Sequence, residues 1–395
     1  MNTDASVAED EQGAALFPDG KKRHRVYRGL NERQEHIFTW IAVVIVLLFA
    51  TAWLGGIIET FRLRRAAVAE AKATGHPVVL PPAPTRQITA ALTQPGTPST
   101  AYINDALLGF LNPLRGESGA VQFAPVLPGE TVAPGAPGEA DAVLTQGGAR
   151  QVSPDFAAPS SPGVYKLAVQ VQQATRIVEN INVITLVPMS QKRGGKIGLY
   201  YLGSWPFEGG GKPRGERYQP PRGFIEVTRE NQNTRVSEHF RLRDFLTKDQ
   251  RNVWPKYLLL DAQLIDKLEL TIQELEAQGV RVDNVHVMSG FRTPRYNHSG
   301  GNTAGRANLS RHMYGDAADV YVDNNQDGQP DDITKDGRVD TRDAQFFADA
   351  AERVERKYSR LVGGIGVYSA CCGHGPFTHI DVRGFRARWR GTGNG

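Results

Sequence analysis

A run of 22 residues without a charged side chain, residues 37–58, constrains the fold of this chain more than any other segment. A helix rises about 1.5 Å per residue, so a run of this length crosses a bilayer core of about 30 Å. Few soluble helices stay uncharged on every face over such a length. The apolar run of a cleaved signal peptide is shorter and stands closer to the N-terminus. We therefore predict a transmembrane helix at residues 37–61.

Basic residues on both sides of this run predict its orientation. Six lysines and arginines lie in residues 21–33, and four lie in residues 62–72. Because cytoplasmic flanks carry the excess of positive charge, residues 1–36 are expected to form a cytoplasmic tail. The rest of the chain would then lie outside the cytoplasm.

The chain after the predicted span changes composition twice. Residues 62–163 are rich in Pro, Gly, Ala, Ser and Thr, which is typical of an extended linker. Short β-branched and aromatic runs follow and predict a small β-rich module at residues 164–230. Residues 236–390 mix helical periodicity with strand-like runs, so an α+β domain is expected there. We find no internal repeat.

Charge and cysteine content exclude several classes of function. The net charge is +4, without a long basic stripe interleaved with aromatic residues, so nucleic-acid binding is not expected. The two cysteines, Cys371 and Cys372, are adjacent and cannot form a disulfide framework. A vicinal disulfide and two free thiols both remain open. A metal ion would have to be held by histidine and carboxylate.

Two short motifs supply such ligands. His312 and Asp319 are separated mainly by small residues, which let the chain turn tightly and enter a strand. His379 and Asp381 lie two residues apart, so on a strand they share a face. Two imidazoles and one carboxylate, with room for water, are typical of a catalytic zinc ion. The predicted zinc ligands are His312, Asp319 and His379.

The sequence around these ligands resembles the zinc D-alanyl-D-alanine peptidases, which share their fold with the hedgehog signalling domain. The resemblance covers about residues 236–390 and rests on four motifs in the order and spacing of that family. They are S-x-H-F at Ser237, S-G-[YF]-R-[ST]-x-x-x-N from Ser289 to Asn297, S-x-H-x-x-G-x-A-x-D from Ser310 to Asp319, and H-x-D at His379.

The resemblance implies roles for further residues. Arg292 would bind a substrate carboxylate or carbonyl, and Ser310 and Asn297 would contact the substrate. A structural salt bridge for Arg292 and a turn or cap for Ser310 are the alternatives. Many members carry Glu or Asp as general base where this chain has Pro376.

Two residues are candidates for the missing general base. Asp381 would lie beside His379 on its strand, and His374 lies in a glycine-rich loop. Asp381 would alternatively orient His379, as carboxylates often do for metal-bound histidines. The catalytic candidates are Asp381, His374 and Arg292.

An acidic insertion at residues 323–343 resembles a calcium-binding loop, with oxygen ligands at alternate positions. Its better register offers Asp332, Thr334, Asp336, the carbonyl of Arg338, Asp340 and Asp343. A weaker register offers Asp323, Asn325 and Asp327. A solvated acidic loop is the alternative.

Together with the predicted membrane span, the resemblance implies a zinc metallopeptidase anchored in a bacterial inner membrane, with its catalytic domain in the periplasm. Its substrate would be peptidoglycan, cut as a carboxypeptidase or as an endopeptidase, and envelope proteins could be partners. The alternative is a non-catalytic zinc-containing protein that binds the cell wall or acts as a scaffold. A further alternative assigns the scaffold contact to the β-rich module.

Overall fold

The computed structural model describes residues 105–136, 140–171, 174–213, 215–300, 303, 306–371 and 373–392. They belong to the compact unit Gly96–Gly395. Within these ranges, no helix has the length and apolar character needed to cross a membrane. The predicted tail at 1–36 and the predicted span at 37–61 lie outside them.

A first sheet forms before the region of the predicted metal ligands. It follows a 3-10 helix, Asp105–Arg115, and its strands are β1 (Phe123–Val126), β2 (Ala140–Gln146), β3 (Ala149–Ser153), β4 (Gly163–Val171) and β5 (Ala174–Thr185). The strand order is β1-β5-β4-β2-β3, with β1 parallel to β5 and the other pairs antiparallel.

The predicted linker at residues 62–163 is wrong for its second part, because that part contains strands β1, β2 and β3. On β2, Ala140, Ala142 and Leu144 are buried against Leu167 and Val183 of the neighbouring strands. Small apolar residues resemble a spacer when they are read alone, but they bury a core once they alternate on a paired strand. The first sheet therefore begins well before the predicted module at 164–230.

The residues of the predicted β-rich module at 164–230 belong to two separate hydrophobic cores. Its first strands complete the sheet just described. The next elements are β6 (Val187–Pro188), the hairpin β7 (Lys196–Ile197) and β8 (Tyr200–Tyr201), β9 (Gly223–Val227) and β10 (Lys256–Leu258). Strands β10, β9 and β6 form a second sheet, and the side chains of Val187, Phe224 and Ile225 join the core that lies under the metal-ligand region.

The third sheet carries the predicted ligands. Its strands are β11 (Val285–Ser289), β12 (Ala317–Val322), β13 (Gly364–Tyr368), β14 (Phe377–Asp381) and β15 (Ala387–Gly391). The order is β11-β12-β14-β13-β15, antiparallel except for the parallel pair of β13 and β15.

Three helices accompany this sheet: α1 (Ala262–Ala277), α2 (Pro294–Ser299) and α3 (Thr341–Lys357). The side chain of Asp261 caps α1 by accepting a hydrogen bond from the backbone of Gln263. Thr378 on β14 donates its hydroxyl to the carbonyl of Ala344 on α3 at 2.7 Å. Because successive strand residues face opposite sides, His379 and Phe377 point away from α3. The predicted α+β class is confirmed as a mixed fold with several small sheets and few helices.

Candidate metal centre

Strand pairing and one tight turn bring the three predicted ligands together. Asp319 on β12 lies directly opposite His379 on β14 in the antiparallel register. His312 precedes β12 in a 3-10 turn that ends at Gly315, where φ is 72°. A Cβ at Gly315 would lie 2.4 Å from the carbonyl oxygen of Leu259, so the turn requires glycine. This turn directs His312 back over the sheet.

Three side-chain atoms form a small triangle at this point. Nε2 of His312 lies 3.2 Å from Nδ1 of His379 and 3.3 Å from Oδ1 of Asp319. Nδ1 of His379 lies 2.9 Å from the same oxygen. The exposed fraction is 3% for His312, 6% for His379 and 3% for Asp319. This buried group could hold a metal ion.

The remaining ring nitrogens have partners that direct lone pairs into the triangle. Nδ1 of His312 lies 2.7 Å from the carbonyl oxygen of Gly290, so this nitrogen carries the proton. Nε2 of His379 lies 3.0 Å from Oδ2 of Asp381, which makes it the donor of that ring. Two imidazole lone pairs and a carboxylate oxygen then face one another, which is an arrangement that a cation stabilises.

Arg292 fixes the carboxylate of Asp319, the third predicted ligand, on the side away from the two histidines. Its Nη2 donates to Oδ2 of Asp319 at 2.8 Å, and its Nε donates to the hydroxyl of Ser289 at 2.8 Å. This leaves Oδ1 of Asp319 for the triangle. Arg292 therefore makes the structural ion pair that was the alternative to substrate binding, although it also lines the cleft above the ligands.

For two of the three predicted ligands, the electrostatics favour the form that binds a metal ion without its proton. Burial, followed by the nearby charge of Arg292, lowers the pKa of His312 to about 4. Burial alone would raise the pKa of Asp319, but the two histidines and Arg292 outweigh it and hold that pKa well below its usual value. His379 behaves differently, because its hydrogen bonds with Asp319 and Asp381 outweigh burial and raise its pKa.

Asp381 is enclosed beneath His379. Its side chain is fully buried, and Oδ1 accepts hydrogen bonds from the backbone of Gly364 at 2.7 Å and from Nε of Arg383 at 2.9 Å. Lys267 of α1 donates to its main-chain oxygen at 2.7 Å. Burial would raise the pKa of Asp381, but hydrogen bonds from His379 and Arg383 keep it well below its usual range. These contacts favour the orienting role over that of general base.

His374, the other predicted base, also lies away from the cleft that opens above the three predicted ligands. Its Nδ1 is 2.8 Å from the carbonyl oxygen of Gly375, and its ring meets Phe377 edge-on at 5.1 Å. It is not among the described residues that line the cleft. Cys371, near His374 in the chain, is disulfide-bonded, so of the two alternatives for the cysteines the disulfide is favoured. Cys372 lies outside the described residues.

A cleft of about 350 Å³ opens above the three ligands. Four arginines, three aromatic side chains and Ser310 contribute to its lining, together with the ligands. The arginines are Arg292, Arg306, Arg311 and Arg383, and the aromatic residues are Tyr368, Phe377 and Trp389. Asp319 is the single carboxylate among the described residues of this lining.

Ser310 and Asn297, the predicted substrate-binding residues, differ in position. Ser310 lines the cleft, whereas Asn297 is buried and outside the described lining. The side-chain amide of Asn297 donates to the carbonyl of Ala307 at 3.1 Å, so it holds the chain that leads to Ser310. Arg306, Tyr368 and Trp389 were not predicted. The sequence contained one indication for Tyr368. It lies two residues after Gly366 and four after Gly364 on one strand, so the three residues share a face of the sheet.

The carboxylates of the acidic insertion do not converge in the same way. Asp332 accepts hydrogen bonds from the backbone of Gly337 at 2.7 Å and of Asp336 at 3.3 Å, and Asp323 accepts from Asp327 and Gly328. Asp343 accepts from the backbone of Ile333 and Thr334, and Asp340 from that of Arg342.

Across the described residues, the triangle of His312, Asp319 and His379 is the one set of three His, Cys, Asp or Glu side chains close enough to share an ion. The predicted calcium sites also depend on Thr334, Asn325 and the carbonyl of Arg338, so they stay a prediction. In this structure the carboxylates of the insertion cap its turns.

No protein-family model, curated protein or solved structure matches the chain. The structural features that bear on function are the triangle of ligand atoms, the residues that fix it and the lining of the cleft. The sequence motifs around His312, Asp319 and His379 add the resemblance stated above.

Proposed function

We propose that this chain is a zinc-dependent peptidase of the bacterial envelope with a hedgehog/D,D-peptidase-like domain. Its substrates would be the stem peptides or cross-links of peptidoglycan. The observation that carries the proposal is the triangle of ligand atoms, with sides of 2.9, 3.2 and 3.3 Å. A tetrahedral zinc ion with bonds of about 2.0–2.1 Å holds its ligand atoms about 3.3 Å apart. The donor set of two imidazoles and a carboxylate leaves a fourth position for water.

The residues of the chain divide the work of such a site. When bound, zinc lowers the pKa of a water molecule towards neutrality and polarises a carbonyl group. His312, His379 and Asp319 would hold the ion. Arg292 fixes the carboxylate of Asp319, and Asp381 fixes the tautomer and orientation of His379.

The charge of the cleft supports an anionic substrate. Arg292, Arg311 and Arg383 each form an ion pair with a buried aspartate. Arg306 lines the same cleft and has no carboxylate within 4.0 Å among the residues that the structure describes. Its guanidinium lies over the ring of Tyr296 at 4.8 Å, and it donates to the carbonyl oxygens of Tyr296 and Gly300. We assign the peptide carboxylate to Arg306 rather than to Arg292, because Arg292 is already paired.

The proposed location follows from the predicted span rather than from the site. A single helix at 37–61 would anchor the chain in the inner membrane, with the cleft in the periplasm. Peptidoglycan and envelope proteins would then be within reach.

Digestion of purified muropeptides by the full chain in detergent tests the proposal. Products are expected with zinc, and they should disappear with a chelator and return when zinc is added back. His312→Ala should abolish them, whereas His286→Ala, which removes a histidine outside the cleft, should leave them unchanged. Intact muropeptides at high protein concentration would contradict the proposal, and the masses of any products would identify the bond.

A second function, zinc-dependent binding of the cell wall without hydrolysis, is favoured by one observation. Of the described residues lining the cleft, Asp319 alone carries a carboxylate, so the lining offers no acidic general base besides a proposed ligand. This function predicts chelator-sensitive retention on peptidoglycan without products. A sedimentation assay with purified sacculi, followed by mass spectrometry of the supernatant, separates the two functions.

A further inference from the structure

A row of residues across the third sheet places an indole against one of the proposed ligands. His379, Gly366 and Trp389 lie opposite one another on β14, β13 and β15. A Cβ at Gly366 would lie 2.4 Å from the indole of Trp389, so the indole lies over the bare backbone of this glycine. From there it contacts the ring of His379, with centroids 5.1 Å apart.

The indole of Trp389 in turn orients a phenol. Nε1 of Trp389 donates to the hydroxyl of Tyr368 at 2.7 Å. An indole nitrogen is only a donor, so Tyr368 must accept in this bond and has its own proton available for another group. No acceptor for that proton is found among the described residues. The ring of Tyr368 stacks on Phe377, with centroids 4.5 Å apart and planes at 6°, which fixes the direction of the hydroxyl.

Tyr368 belongs to the lining of the cleft that contains His312, His379 and Arg292. It stands two residues along β13 from Gly366, the partner of His379, and aromatic side chains reach across such a diagonal. Burial raises the pKa of Tyr368, so its hydroxyl stays protonated at neutral pH. The cleft thus contains a fixed hydrogen-bond donor beside the proposed metal ligands.

We infer that Tyr368 donates a hydrogen bond to the carbonyl oxygen of the scissile peptide bond and to the oxyanion that forms when water adds to it. Trp389 and Phe377 are positioning residues for this donor. The inference rests on the proposed peptidase function and adds a catalytic residue to it. Tyr368 keeps its proton throughout: the hydroxyl of the water goes to the acyl carbon, and the proton of that water ends on the leaving amine.

Tyr368→Phe in the full chain tests the inference, because it removes the hydroxyl and keeps the stacked ring. We expect kcat to fall about 10²–10³-fold, the loss typical of one oxyanion donor, with KM, zinc content and melting temperature little changed. Tyr321→Phe is the matched control, since it removes a hydroxyl that donates to Gly328 outside the cleft lining. A kcat equal to that of the wild type would overturn the inference.

A phosphinate dipeptide analogue separates this inference from the proposed function, because its oxygens mimic the tetrahedral intermediate. Binding to the zinc-loaded wild type and to Tyr368→Phe is measured by calorimetry. If the wild type binds the analogue but cleaves no muropeptide, the peptidase proposal fails, and at least about tenfold weaker binding by Tyr368→Phe still supports the donor. Equal binding by both proteins, or no binding by the wild type, overturns the inference.

Trp389→Phe supplies an independent variant if Tyr368→Phe fails to fold. It leaves the phenol in place and removes the indole donor that orients it. A loss of about tenfold in kcat or in phosphinate affinity is expected, because misplacement of a catalytic group weakens its contribution. Wild-type values in both assays would contradict the inference.

Discussion

Nε2 of His379 lies 3.0 Å from Oδ2 of Asp381, while Nδ1 of the same ring lies 2.9 Å from Oδ1 of Asp319. The carboxylate of Asp381 therefore fixes the tautomer of the ring, and that of Asp319 lies beside the ring as another proposed ligand. The same division applies to His312, whose Nδ1 is held by the carbonyl of Gly290. Both imidazoles are oriented before any ion arrives.

Asp381→Asn tests this orienting role. An amide can turn its nitrogen towards His379 and disturb the tautomer, so zinc affinity is expected to fall about 10–100-fold. Competition against a chromophoric chelator measures that affinity. A general base would behave differently, because its loss would abolish turnover while zinc bound as tightly as in the wild type.

Asp319→Asn should remove zinc from the site and leave Arg292 without its buried carboxylate partner. A ligand that binds only the folded state raises its melting temperature. We therefore expect zinc to raise the melting temperature of the wild type and to leave that of Asp319→Asn unchanged. Calorimetry with and without zinc, with metal analysis after dialysis, makes the comparison. Equal zinc content in both proteins would exclude Asp319 as a ligand.

Arg306→Gln should weaken the binding of peptides that end in a free carboxylate. A hydrogen bond between charged groups contributes about 1.5–3 kcal/mol, so KM should rise about 10–150-fold with little change in kcat. Peptides amidated at the C-terminus should show little difference between variant and wild type. Arg386→Gln, which removes an arginine paired with Glu352 outside the cleft lining, is the control. A KM that rises equally for both kinds of peptide would argue for a general effect on the loop.

Gly366→Ala should disturb the contact between Trp389 and His379. The new Cβ would lie 2.4 Å from the indole, so the ring must move. Overpacking of this kind typically costs about 1–3 kcal/mol of the free energy of unfolding. Gly209→Ala is the control, because nothing lies within 4 Å of its added Cβ. Urea unfolding of both variants measures the difference, and equal stability would contradict the packing described here.

The three proposed metal ligands could be predicted to lie together because local rules fix their positions. Alternation on β14 places His379 and Asp381 on one face, and glycine at 315 permits the turn that returns His312 to the sheet. The surroundings of Asp381 could not be predicted in this way. They come from Gly364 on a neighbouring strand, from Arg383 in the turn beyond β14 and from Lys267 on α1. Whether a carboxylate is open to a cleft depends on such distant contacts.

Two other features escaped prediction for the same reason. Residues 140–146 have the alanine-rich composition of a spacer, and only their pairing with β4 shows that they are buried. Trp389 reaches His379 because β15 runs parallel to β13, beside a glycine, and this pairing joins segments far apart in sequence. Composition and periodicity describe one segment at a time, so they do not reveal such partners.

His239 provides a prediction about pH that is independent of the proposed metal site. Its Nδ1 lies 2.8 Å from Oε2 of Glu269, and its backbone N–H donates to the other carboxylate oxygen at 3.0 Å. The hydrogen bond with Glu269 raises the pKa of His239 in the folded chain, although burial acts in the opposite direction. In the unfolded chain the pKa is about 6.5.

The charged pair therefore stabilises the fold fully below about pH 6.5, and this contribution is lost as pH rises through the raised folded pKa. His239→Gln should cost about 1.5 kcal/mol more at about pH 5.5 than at about pH 9, since a hydrogen bond to a charged group is lost only at the lower pH. Urea unfolding of wild type and variant at both pH values gives the difference. An equal cost at both values would mean that the imidazole is neutral in the folded chain and that Glu269 does not hold a proton on it.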